Sequence, residues 1–254
     1  MRVFALSDVH VDYDANAQWI KSISQVDYVD DLLVLAGDVS SSVARLEHCL
    51  THLARCFDKL LFIPGNHDLW LNHGDEHRDS LHKFKAVCDL AEQSGASTTI
   101  YHRGEMSVVP LLGWYDYTFG VPEPILKAVW ADFRACRWSD EWDLQDVTSH
   151  FLQKNRYRRR NAKEFIISFS HFMPRVDVLP PNLPERFQAL FPVLGTSRLE
   201  QQVRGLRSDI HVYGHSHLNR RVTLDGTLYV NNAFGYPHET GIAARKLICV
   251  HECD

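Results

Sequence analysis

The sequence lacks paired cysteines: its six, Cys49, Cys56, Cys88, Cys136, Cys249 and Cys253, form no C-x-x-C motif and no close cluster. That argues against a zinc ribbon or a thioredoxin-like site and leaves them as reduced, mostly buried thiols. It lacks any apolar run near the ~20 residues needed to span a bilayer, and its opening MRVFALSDVHVDYD is soon broken by Asp and His. No membrane partner is expected, and the cytoplasm, or an organelle stroma, is the expected location. It lacks an excess of positive charge: 27 Lys plus Arg face 32 Asp plus Glu, a net charge of -5, so no global field holds a polyanion. It has neither an internal repeat nor a low-complexity tract. A chain of 254 residues that is 45% hydrophobic and 23% charged is an ordinary folded protein, read as one domain over residues 1–254.

What the chain has in plenty is histidine, 15 in all, the commonest metal-ligand side chain and the usual acid or base near neutral pH. Five of them sit in a recurring pattern. Short apolar runs at 2–6, 32–36, 60–63, 165–169 and 210–213 read as buried strands, and each breaks abruptly into polar residues. Amphipathic stretches at 16–23 and 43–57 separate the first three, so the pattern is strand, helix, strand, helix, strand: an α/β fold with a parallel sheet. Residues 227–231 and 246–251 read as further strands added through a glycine-containing turn region, 76–93 as a helix, and 146–162 as a helix with a basic end. Residues 113–145 hold four of the six Trp with no clean periodicity and read as a long insertion or cap. The five prolines between 173 and 192 make that stretch an extended loop.

Ligands of open α/β sheets bind outside the carboxyl ends of the strands, which is where every polar break falls. Collected, the breaks supply Asp8, His10, Asp38, Asn66, His67, Asp68, His171, His215 and His217. Taken singly, each is an ordinary strand-end polar group. Together they are carboxylates, an amide and imidazoles with no thiolate, a donor set for Mn, Fe, Zn, Ni or Mg that is too large for one ion. Two divalent ions are implied, clamping the oxygens of a phosphoryl transfer. Gly37, Gly65 and Gly214 each precede a candidate ligand, where the chain turns sharply against the site.

Asp8-Val9-His10, Gly37-Asp38, Gly65-Asn66-His67-Asp68, the lone His171 and Gly214-His215-Ser216-His217 resemble, in order, the five signature blocks of calcineurin-like metallophosphoesterases. The resemblance implies a four-layer αββα sandwich. It implies that Asp8, His10 and His217 bind one metal, that Asn66, His171 and His215 bind the other, and that Asp38 bridges them. It further implies a phosphomonoesterase or phosphodiesterase acting through a bridging hydroxide, with His67 protonating the leaving oxygen and Asp68 orienting His67. The substrate is then a small-molecule phosphoester or a phosphoprotein. A nuclease of the same chemistry, with Arg156 to Arg160 as its footprint, and a non-catalytic binding module are the competing readings. That arginine run is more simply a solvated helix face. Arg45, Tyr115 and Arg137 are candidate substrate-binding residues, with Trp114, Tyr117, Arg134 and Trp138 as candidate companions in the pocket. Outside the blocks, His73 and His102 are the histidines to watch.

Overall fold

The computed structural model describes residues 1–72, 75–241, 243 and 245–253; His73, one of the two histidines singled out above, lies outside the described residues. The strands are β1 (Arg2–Leu6), β2 (Leu32–Ala36), β3 (Lys59–Ile63), β4 (Ala96–Ser97), β5 (Tyr101–Arg103), β6 (Met106–Pro110), β7 (Phe165–Phe169), β8 (Ile210–Tyr213), β9 (Arg220–Leu224), β10 (Thr227–Asn231) and β11 (Ile248–Glu252). They form two sheets, one ordered β11-β1-β2-β3-β4 and the other β5-β6-β7-β8-β10-β9. Within them β1, β2, β3 and β4 run parallel, as do β6, β7, β8 and β10, while β11, β5 and β9 are antiparallel edges.

Alternation along the strands builds the layers. Val3, Ala5, Val34, Leu61 and Ile63 pack against Val108, Ile167, Phe169 and Val212 of the facing sheet. Their neighbours Phe4, Leu6, Leu33, Leu35, Leu60 and Phe62 face outward and are covered by Ile20, Leu46, Leu50, Leu53 and Val87 from helices Asp14–Lys21, Val43–Cys56 and Ser80–Gln93. On the far side, Val109, Ile166, Tyr213 and Tyr229 pack under Leu199, Val203 and Leu206 of helix Ser197–Leu206. Helix, sheet, sheet, helix is the expected αββα order.

Several boundaries differ from the sequence reading, each for a local reason. The helix expected from residue 76 starts at Ser80, because the Asp79 side chain accepts from His82 N and caps it there. The helix expected over 146–162 is Leu144–Leu152, opened by a capping box between Asp143 and Asp146. The arginine run is therefore not a helix face. Arg159 donates to the carbonyls of Asn161, Ala162 and Arg207, and Arg160 to Glu164. The proline-rich stretch is punctuated by short helical turns at Val176–Val178, Glu185–Gln188 and Phe191–Val193. Only Cys49 and Cys56 among the six thiols are buried. Among the described residues no helix is long and apolar enough to cross a membrane. The cap is borne out as a compact aromatic cluster around Trp114, Tyr115, Phe151 and Phe172, with helices Pro124–Val129 and Asp132–Ala135.

Candidate metal centre

Five of the seven candidate ligands have left-handed backbones: Asp8 (φ 53°), His10 (46°), Asp38 (56°), His215 (67°) and His217 (53°). Such conformations are uncommon for non-glycine residues and cost on the order of 1–3 kcal/mol each. The surrounding hydrogen bonds over-determine them. Asp8 N donates to Gly37 O at 2.9 Å, His10 N to Asp38 O at 3.0 Å and Gly235 N to Asp8 O at 2.9 Å, lashing the ends of β1 and β2 to the loop after β10. Gly65 is required here, since a Cβ would fall on the Asp38 carboxylate and within 2.8 Å of the His171 ring.

The rim holds two clusters. In one, His217 Nε2 lies 3.2 Å from Asp8 Oδ1 and 3.3 Å from His10 Nε2. In the other, His171 Nε2 lies 2.9 Å from Asn66 Oδ1, 3.1 Å from His215 Nδ1 and 3.5 Å from Asp38 Oδ1. Asp38 also lies within reach of His67 Nε2, at 3.8 Å from Oδ2.

The outer hydrogen bonds fix which atoms face inward. His171 Nδ1 donates to Ala36 O at 2.9 Å and His215 Nε2 to Val193 O at 3.1 Å, so their other nitrogens carry lone pairs. The Asn66 amide donates through Nδ2 to Asp132 at 2.8 Å and so turns its oxygen inward. Three acceptors thus converge with no proton between them, an arrangement that a cation relieves. The residues present therefore fit a divalent ion at this point. Electrostatics agree: burial, helped by the neighbouring imidazoles, outweighs the opposing pull of the Asp8 carboxylate and pushes His171 and His215 down to about 4 and His10 down to about 3, the neutral state that ligates. Burial, then the charges of Asp8 and Asp68, holds Asp38 well above the usual carboxylate range. Burial opposes a proton on His217, but the Asp8 and Glu239 carboxylates outweigh it and raise the ring to about 10.

Three supporting residues were not read from the sequence. Asp132, buried in the cap, accepts from Asn66 Nδ2, Trp70 Nε1 at 2.6 Å and Trp130 Nε1 at 2.9 Å. Glu239 accepts from His217 Nδ1 and from Tyr236 N, both at 2.7 Å. Tyr236 stacks on His10 at 4.4 Å and sets its hydroxyl 3.3 Å from His67 Nε2. None belongs to a motif; the only signal is a carboxylate or phenol in an otherwise apolar or turn-rich segment.

A family model described as calcineurin-like phosphoesterase matches residues 1–219. The chain belongs to the calcineurin-like phosphoesterases. It is 24% identical over 260 residues, covering 93% of this chain and 78% of the relative, to an acyl-carrier-protein phosphodiesterase, PptH, of Mycobacterium tuberculosis. The solved structure of that phosphopantetheinyl hydrolase superposes with a TM-score of 0.78 at 23% identity, covering 94% of this chain and 90% of that one. The protein TT1561 of Thermus thermophilus gives 0.53 at 14%, covering 91% and 89%. At these identities the structural likenesses speak to the fold.

As a calcineurin-like phosphoesterase the protein is a hydrolase, a metal-dependent phosphoesterase of a family that uses two divalent ions. The structure places several of the sequence-predicted residues away from the roles expected of them. Asp68 does not touch the His67 ring; its carboxylate accepts four backbone N–H bonds, from Asp38, Val39, Ser40 and Gly65, and knots the loops after β2 and β3 together. The His67 ring is instead stacked on Trp70, with centroids 3.6 Å apart. Arg45 donates to the carbonyls of Val11 and Asp12 and does not line the cavity at the rim. Tyr115 is 1% exposed, packed in the cap core and bonded to Asp132, and does not line the cavity. Arg137 does not line the cavity; its backbone N–H donates to the Ser80 hydroxyl and its guanidinium to the Arg78 carbonyl. Trp114, Tyr117, Arg134 and Trp138 do not line the cavity either, and His102 bonds Ser107.

Proposed function

We propose that this chain is a phosphodiesterase that frees a phosphopantetheine arm from a carrier protein, working as one domain over residues 1–254. The observation that carries the choice of diester over monoester is the charge of the cavity beside the rim, which has a volume of about 260 Å³. Among the described residues no Lys or Arg lines it, whereas Asp38, Asp132 and Glu239 do. A monoester brings one more negative charge than a diester, and no Lys or Arg of the lining adds to what the two ions would offset. The relative named for carrier-protein phosphodiester cleavage, matched over most of this chain, supports the arm and the partner.

Asp8, His10 and His217 would hold one ion and Asn66, His171 and His215 the other, with the Asp38 carboxylate within reach of both groups. Two divalent ions there would supply Lewis acidity and activation of water at neutral pH. Asp132 keeps the Asn66 oxygen turned inward, and Glu239 keeps the His217 lone pair at Nε2. His67, held by Trp70, carries a proton at Nε2 to the departing oxygen, with the Tyr236 hydroxyl as its hydrogen-bond partner until substrate displaces it. Burial, then the neighbouring imidazoles, lowers His67 well below its usual value, and the negative phosphoryl group is what draws a second proton onto the ring. Asp68 holds the loops. Manganese suits the nitrogen and oxygen donors, and free cysteines suit the cytoplasm.

The test is to incubate the manganese-loaded protein with holo carrier protein, bis-p-nitrophenyl phosphate, p-nitrophenyl phosphate and single-stranded DNA. The carrier should lose the mass of its arm and the model diester should be cleaved. Hydrolysis confined to the monoester, or to the nucleic acid, would overturn the reading.

A further inference from the structure

The cavity has two unlike walls. One is the rim just described; the other is Leu179, Leu183, Phe187, Leu190 and Phe191 of the proline-rich segment, with Leu218 from the loop after β8. Leu183, Leu190 and Phe191 pack in part on the core beneath and, with half-buried Phe187, turn the rest of their surface to the cavity. Ligand sites are concave and lined mainly by apolar side chains of this kind. The wall is also held in place beforehand. Pro180, Pro181, Pro184 and Pro192 restrict the backbone that carries it, the Leu179 carbonyl accepts from Arg220, and the Met173–Gly195 bridge pins the segment's two ends together. Restricting a binding segment in advance lowers the entropy lost when a ligand docks.

We infer that this wall is the binding site for an uncharged aliphatic portion of the diester, the hydrocarbon next to the ester oxygen. The inference rests on the diester reading above and adds the chemistry of the group beside phosphorus. A sugar in that place would set hydroxyls against leucine and phenylalanine without partners. A second phosphate would meet no cation. A branched or extended hydrocarbon would instead exclude water from the wall, and each methylene buried there is worth roughly a three- to fourfold gain in binding.

The experiment uses the metal-loaded full chain and a series of p-nitrophenyl alkyl phosphates, methyl, propyl, butyl and hexyl, beside the p-nitrophenyl ester of thymidine 5′-phosphate. In the native protein kcat/KM should climb roughly two- to fourfold per methylene until the cavity is filled, with the thymidine ester below the butyl ester. The hexyl-to-methyl ratio should collapse toward unity in L183S/F187S. A flat native series, a ratio that survives the substitutions, or preference for the sugar ester would overturn the proposal. Direct binding of alkyl phosphonates of the same lengths, followed by calorimetry, reads the wall without variants or turnover: affinity should rise with length, and length-independent affinity would overturn it. If no diester is cleaved, the functional reading fails while the phosphonate series still judges the wall.

Discussion

The metal rim and the wall that faces it are built by opposite rules. At the rim each residue is chemically particular: lone pairs aimed by the carbonyls of Ala36 and Val193, an amide turned by Asp132, and left-handed backbones at five ligands. Across the cavity, Leu183, Phe187, Leu190 and Phe191 need only be apolar and of the right size. The rim decides which bond is broken, and the wall decides what may be attached to it. Substitution at the rim should therefore cost more than substitution of one apolar side chain by another at the wall.

Changing a rim ligand should have the largest effect. D38N or H215A should bring turnover to background while circular dichroism and thermal melting show the fold retained; an active variant would break the comparison. Chelation of the native protein should do the same, reversibly on adding back manganese. Next come the groups behind the ligands. D132N places an amide against the Asn66 amide and should cost about 10- to 100-fold in metal affinity or activity, partly rescued by excess metal. Titrating activity against metal concentration checks this, and an unshifted curve would show that the cap does not aim the amide.

A site at the other end of the molecule sharpens the contrast between reaction and scaffold. Glu164 is fully buried near the start of β7, accepts from Ser107, Tyr157 and Arg160, and is held down to about 2 from 4.5, those donors outweighing burial. A carboxyl lower in the folded state than in the unfolded one stabilises fully above pH 4.5, and that contribution is lost as pH falls toward 2. Urea midpoints across this range should therefore depend less on pH in E164Q than in the native chain, with kcat/KM at neutral pH unchanged; equal pH dependence would remove Glu164 from the account. The smallest effect belongs to a plain helix cap: D79A should lower stability by about 1 kcal/mol, read as a lower melting temperature without loss of turnover.

The rim was legible because its residue types are scarce and its blocks sit at strand ends, where the α/β pattern already predicts a site. Asp132, Tyr236 and Glu239 were not, because each acts on a ligand far away in the chain and no spacing records that contact. Asp68 was legible as part of the site but not as a backbone knot, since a carboxylate beside a histidine reads equally as its orienting partner. Arg45, Tyr115 and Arg137 illustrate the converse: guanidinium and phenol groups suit phosphate and rings, yet the two guanidiniums donate to backbone carbonyls and the phenol is bonded to Asp132 within the protein. Strands β6 and β9 escaped because MSVVP ends in proline and RRVTL is an edge with one polar face.

The central claim is that two ions sit on either side of the Asp38 carboxylate. Crystals grown with manganese and measured near its absorption edge would decide it by anomalous difference density. The account predicts two peaks, one touching Asp8, His10 and His217, the other Asn66, His171 and His215, with Asp38 between them. A single peak, or two that leave Asp38 unligated, would contradict it.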